Sequence, residues 1–185
     1  MLRFTKIKYK DSEIELHYER LNAQGEWDEY RFKSRQAPHP DFAAALQALD
    51  EHQVHECELL VDQADGLYDE NPNIADEIAR HEIISVTLSY SADEAGEPVR
   101  GVTITSLRRL FYANAPLTLN SPHKFDRKHS DGQDEEILLR AETCEAVDHL
   151  CREAEQYLLG NKRKQQNLFA GDDQQEEIHI ETETV

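Results

Sequence analysis

The chain is predicted to fold as an α+β domain: an antiparallel sheet of about six strands, in the order βββ-α-βββ-α, with two helices on one face and a flexible acidic tail. Three observations predict it. Several short segments alternate apolar and polar residues with a period of two, as half-buried strands do. Two longer segments repeat apolar residues at helical spacing. Beyond Gly160 apolar periodicity gives way to a polar, acidic run.

The first strands are the clearest. Ile7 and Tyr9 alternate with Lys6, Lys8 and Lys10, and Ile14, Leu16 and Tyr18 alternate with Glu13, Glu15 and Glu19. A two-residue turn at Asp11-Ser12 sets Lys10 opposite Glu13, Lys8 opposite Glu15, Tyr9 opposite Ile14 and Ile7 opposite Leu16. Charge and apolar patterns thus agree on one hairpin. A turn at Asn22-Ala23-Gln24-Gly25 leads to a third strand over 27–34. Tyr30 and Phe32 face in there, and Glu29, Arg31 and Lys33 face out.

Pro38-His39-Pro40 ends these strands, and Pro40-Asp41 suits a helix start. Phe42, Ala45, Leu46 and Leu49 predict one helix running to about residue 58. Residues 62–82 read as an acidic loop or insertion with a short helix at 74–80. Ile84, Val86, Leu88 and Tyr90, then Val102 and Ile104, predict a second hairpin, and Leu117 and Leu119 one more strand closed by Ser121-Pro122. Residues 124–136 read as polar loop. A helix over 140–159 carries Cys144, Val147, Cys151, Ala154 and Leu158 on one stripe, widened by Leu150 and Tyr157, with Gly160 as its C-terminal cap. The organisation is a globular domain over 1–161 and a polar acidic tail over 162–185.

With 185 residues and 38% hydrophobic content, the chain is long enough for one core. It carries 38 acids against 20 bases, a formal charge of −18. That total disfavours bulk binding to nucleic acid or anionic membrane. Its distribution is uneven: residues 37–82 carry −11 and residues 171–185 carry −6, while the strand blocks are slightly positive. No apolar run is long enough for a membrane helix, and the N-terminus lacks a signal-peptide pattern, so a cytoplasmic location is expected.

Chemical motifs are sparse. His52, His55 and Cys57, and Cys144, His149 and Cys151, lack the paired spacing of a zinc site. Cys144 and Cys151 read as small apolar residues on a buried stripe. No nucleophile elbow, phosphate-cradling glycine loop or His-Glu-x-x-His is present. Neither a metal, a cofactor nor an enzymatic activity is expected.

One short motif points to a partner. Gln165-Gln166-Asn167-Leu168-Phe169 resembles the bacterial sliding-clamp-binding pentapeptide, whose pattern is Gln, any residue, a small polar residue, Leu, Phe. The resemblance implies that Gln165 hydrogen-bonds at a pocket rim while Leu168 and Phe169 fill its apolar floor. Gln166 and Asn167 stand where Leu and Ser or Asp are commoner. Apolar anchors in a polar tail are how linear peptides engage grooves. The competing reading folds Leu168 and Phe169 back on the protein's own sheet or last helix.

A wider resemblance rests on four segments: Pro38-His39-Pro40-Asp41-Phe42, Gly101-Val102-Thr103-Ile104-Thr105, the stretch from Ala115-Pro116 through Ser121-Pro122-His123, and the final helix running into Leu168-Phe169. These look like small uncharacterised proteins of phage and prophage replication or recombination regions. The resemblance spans about residues 1–169 and implies a DNA-metabolism setting.

The leading expectation is therefore a non-enzymatic interaction protein that docks on the sliding clamp as accessory or inhibitor. Two alternatives stand beside it. The acidic segments could mimic DNA towards a basic host DNA-binding protein. Alternatively, Lys6, Lys8, Arg31, Lys33, Arg108 and Arg109 could contact single-stranded nucleic acid, with Tyr9, Tyr18, Trp27 and Tyr30 as candidate stacking residues. Against the latter, the aromatic and basic residues of the first strands fall on opposite faces, and pairing with Glu13, Glu15 and Glu19 also accounts for the lysines.

Overall fold

The computed structural model describes residues 1–59, 74–128 and 138–161. Strands β1 (Leu2–Lys10), β2 (Glu13–Leu21) and β3 (Trp27–Ser34) come first, followed by helices α1 (Pro40–Gln47), α2 (Leu49–Glu56) and α3 (Ile74–Ile78). Strands β4 (His81–Ala92), β5 (Pro98–Arg108), β6 (Leu117–Asn120) and β7 (Lys124–Phe125) precede helix α4 (Ala141–Leu158). All the strands join one antiparallel sheet in the order β3-β2-β1-β4-β5-β6, with β7 also paired to β5. The α+β class and the antiparallel sheet follow the alternation in the sequence.

The first hairpin has the predicted register, Lys10 with Glu13 through Ile7 with Leu16. Asp11 and Ser12 both take positive φ, 53° and 62°, which lets a two-residue turn match the strand twist. The turns at Asn22 and Asp93 share one device. Each side-chain oxygen accepts two backbone N–H groups further along its loop, and a glycine at positive φ, Gly25 or Gly96, completes the reversal.

β1 and β4, the first strand of each half, meet at the centre of the sheet. Their pairing is short: only Lys6–Lys8 opposite Thr87–Ser85. One face of the sheet supplies Phe4, Ile7, Ile14, Leu16, Val86, Leu88, Val102 and Ile104 to the core. Phe42, Leu46 and Leu49 from α1 and α2, and Val147, Leu150, Ala154 and Tyr157 from α4, pack against them. Period-two alternation turns Lys6, Lys8, Glu15, Arg31 and Lys33 away from that core.

The structure corrects three sequence expectations. The predicted helix over 40–58 is divided at Ala48 into α1 and α2, although Ala48 stays right-handed and its N–H still bonds the Ala44 carbonyl at 2.9 Å. α2 buries Leu49, Asp50, Gln53, Val54, His55 and Glu56, so two acids of the 37–82 block lie inside. The segment read as loop from 124 begins with β7. Phe125 pairs with Gly101 and Lys124 with Val102, while Lys124 Nζ lies 3.0 Å from the buried Glu56 carboxylate. Finally, the buried line of α4 is Thr143, Val147, Leu150, Ala154 and Tyr157, and Cys144, Cys151 and Leu158 sit on its margin. The helix is rotated by about one residue because Tyr157 is drawn inward between Phe42 and Phe32. Gly160, at φ 80°, ends α4 as its pattern predicted.

Candidate functional site

The outward face of β1, β2 and β3 gathers four of the predicted nucleic-acid-contact residues around one carboxylate. Glu15 Oε1 accepts from Arg31 at 2.8 Å and from His17 Nε2 at 2.6 Å, with Lys6 Nζ at 3.8 Å. Lys8 and Lys33 approach Oε2 at 3.8 and 3.9 Å. Burial of the carboxyl opposes its ionisation, but the His17 hydrogen bond, the Lys6 charge and Arg31 outweigh it and pull its pKa down to about 2. Glu13 is shared between Lys33 and Arg35, and Lys10 has no ion-pair partner among the described residues. Cations exceed carboxylates here, so cross-strand pairing does not neutralise this part of the face.

Arg108 and Arg109, at the end of β5, serve different roles. Arg108 Nε donates to Glu77 at 2.5 Å, in a buried cluster completed by Arg80 and by His81, whose Nδ1 meets Ser106 Oγ at 3.1 Å. Burial works against the Glu77 charge, but the Arg108 and His81 hydrogen bonds hold its pKa below the usual range. Arg108 is thus committed to structure. Arg109 is exposed and lines an open cleft of about 900 Å³ with Lys10, Asp11, Tyr9, Leu46, Ile78 and Glu82. The antiparallel order explains this neighbourhood: the end of β1, the start of β4 and the end of β5 lie at one end of the sheet.

Asp50 sits in the wall of that cleft, its Oδ1 accepting the Ile83 N–H at 3.2 Å. Burial pushes its carboxyl up to about 6, against the pull of that hydrogen bond and with help from Glu82. A raised folded-state pKa means that the unfolded chain binds fewer protons between about pH 4 and 6, so ionisation costs stability as pH rises through that window. Asp50→Asn keeps the acceptor and removes the charge. At pH 7 it is expected to stabilise the protein by about 1–2 kcal/mol, an advantage that closes below about pH 4. Urea titrations of both proteins across pH check this, and equal stability at pH 7 would show that Asp50 ionises freely.

The aromatic residues proposed from sequence for stacking are occupied. Tyr18 stacks on Tyr30 at 5.3 Å, Tyr9 packs edge-on to Phe42, and Trp27 lies under the Arg3 guanidinium at 3.9 Å. Among the described residues, the exposed aromatics are instead Phe111 and Tyr112 in the β5–β6 loop, with relative exposures of 75% and 104%. Sequence reasoning passed over them. Their signal was an apolar Leu110-Phe111-Tyr112 run followed at once by the turn-forming Ala113-Asn114-Ala115-Pro116, too short to be a strand. Arg80 lies 3.5 Å over the Phe111 ring.

His123 occupies the outward side of β5. Its Nε2 lies 3.2 Å from Ser89 Oγ and its Nδ1 3.1 Å from Thr103 Oγ1. It crosses Gly101, where a Cβ would fall 2.3 Å from Nε2, which is why glycine stands there. Both ring nitrogens meet hydroxyls, so no carboxylate orients the imidazole as in an activated serine pair. Among the described residues, no group of three or more His, Cys, Asp or Glu is placed to hold a metal, and no helix is long and apolar enough to cross a membrane. In the acidic 37–82 block, Asp50, Glu56 and Glu77 are buried, at 8%, 1% and 7% exposure, so that block is not a uniform acidic surface.

Gln165, Leu168 and Phe169, and the whole 162–185 tail, lie outside the described residues, as do positions 62–73 of the acidic insertion. No protein family, curated protein or solved structure matches this chain.

Proposed function

We propose that this chain is a non-enzymatic interaction protein of phage or bacterial DNA replication that docks on the bacterial sliding clamp through Gln165, Leu168 and Phe169. The observation that carries the reading is where the motif starts. Helix α4 is packed on the core and capped at Gly160, and Gln165 follows five residues later. A coil between Gly160 and Leu168 would span about 16 Å, so a clamp bound to the peptide would sit close to the domain. The apolar pair is flanked by Lys162-Arg163-Lys164 and by Asp172-Asp173, a polar setting suited to a linear motif. The decoy alternative is weakened by the inward placement of Asp50, Glu56 and Glu77.

A pull-down comparing the full chain with one lacking residues 165–185 tests the reading. The full chain is expected to retain purified clamp and the shortened chain to lose it. Equal retention by both, or by neither, would remove the proposal.

A further inference from the structure

We propose that the end of the sheet where β1, β3 and β5 finish binds single-stranded nucleic acid, with phosphates on Lys8, Lys10, Lys33 and Arg109 and an unpaired base on Tyr112. The sequence offered basic residues and aromatics on opposite faces of the same strands. The fold supplies a different pair of aromatics at the same end of the sheet as the basic residues.

Topology makes the juxtaposition. β2 reverses β1, and β3 reverses β2, so Lys33 and Arg35 finish at the same end as Lys10. β4 runs antiparallel to β1 and β5 to β4, so Arg109 emerges there too, and it lines one cleft with Lys10, Asp11 and Ser12. From β3 to β5 the row crosses four strand spacings, about 19 Å. Beyond Arg109 and Leu110 come the exposed Phe111 and Tyr112, whose ring centroids are 6.3 Å apart.

Charge selects a polyanion. Lys10 and Arg109 have no carboxylate partner among the described residues, and Lys8 and Lys33 share Glu15 with Lys6, Arg31 and His17. The carboxylates along this row are Glu15 and Glu13, which Lys33 meets at 3.9 and 3.8 Å, with Asp11, Asp50 and Glu82 in the adjoining clefts. The distant acids of the chain are screened beyond about 10 Å at 0.1 M salt, so the local excess governs contact. The aromatics select single strands, because a ring can stack only on a base whose face is free. Arg80 already covers the Phe111 ring, which leaves Tyr112 as the open platform. Phosphate contact with one stacked base reads no sequence, so binding is expected to be sequence-tolerant and strongly salt-dependent.

Fluorescence anisotropy of a labelled oligothymidylate, titrated with full-length protein at 0.1 M salt and then at rising salt, tests this. Saturable binding is expected, weakening with a log–log salt slope of about −2 to −3 for three to four phosphate contacts. Tyr112→Ala, at a fully exposed position where folding is not at risk, should weaken binding about tenfold. Lys33→Glu should weaken it by at least threefold and make the salt slope shallower by about 0.7. The Leu168→Ala/Phe169→Ala protein should bind the oligonucleotide like the parent, which separates this surface from the clamp reading. The proposal is overturned if no saturable binding occurs at 0.1 M salt, if a duplex of equal length binds as well, if Tyr112→Ala has no effect, or if the tail variant loses oligonucleotide binding.

Discussion

Replacing Leu168 and Phe169 together by alanine should abolish retention of the purified clamp while leaving the thermal unfolding of the domain unchanged. Burying an apolar side chain of this size is worth about 1.5–3 kcal/mol, so losing two anchors removes about 3–6 kcal/mol. That is a factor of about 10² to 10⁴ in affinity, more than a short peptide can spare. Gln165→Ala should cost far less, about 0.5–1.5 kcal/mol, because it removes one hydrogen bond at a wet rim. The paired readout separates two uses of the same residues. Lost clamp binding with an unchanged Tm places the peptide on the partner. Unchanged clamp binding with a lowered Tm places Leu168 and Phe169 on the protein's own core instead.

The largest stability effect is expected at Tyr157. Its side chain is fully buried in the last turns of α4, with ring centroids of Phe42 and Phe32 at 6.0 and 6.1 Å. Its hydroxyl donates to the Gln36 carbonyl at 2.7 Å and lies 3.0 Å from Ser34 Oγ. One residue thus ties α4 to α1 and to the chain leaving β3. Tyr157→Ala should cost about 3–5 kcal/mol, the usual range for emptying a large aromatic site. Against a typical domain stability of about 5–15 kcal/mol, that loss leaves the fold marginal. Tyr157→Phe keeps the packing and should cost only about 1–2 kcal/mol, for the lost hydrogen bond from its hydroxyl to the Gln36 carbonyl. Urea unfolding of the two variants gives the ratio. A Tyr157→Ala loss below about 1 kcal/mol would mean that α4 is held elsewhere.

The first hairpin was legible because two independent codes agreed. Lys facing Glu and Ile facing Leu admit one register, and a slip of a single residue would turn every side chain to the wrong face. The division at Ala48 was hidden because alanine is a strong helix former and leaves no local signal. β7 escaped for a related reason. Lys124 and Phe125 carry no strand period of their own, and Lys124 is held by an ion pair to Glu56 on α2. The α4 stripe was read almost correctly, but periodicity leaves the helix phase loose by about one residue, and the Tyr157 contacts fix it.

The candidate sites divide the same way. The pentapeptide over 165–169 is a local motif, and its recognition by a groove would depend on order along the chain, so sequence alone carries it. The amino-acid sequence also determined the fold class, the strand segments and the uneven charge, because period and composition are local properties. Only the tertiary structure decided that Lys6, Lys8, Arg31 and Lys33 share Glu15, that Arg108 is spent on Glu77, and that Lys10, Arg109 and Tyr112 belong to one end of the sheet. The physical reason is strand order. β1 meets β4 across most of the first half of the chain, and no spacing in the sequence records which strands become neighbours.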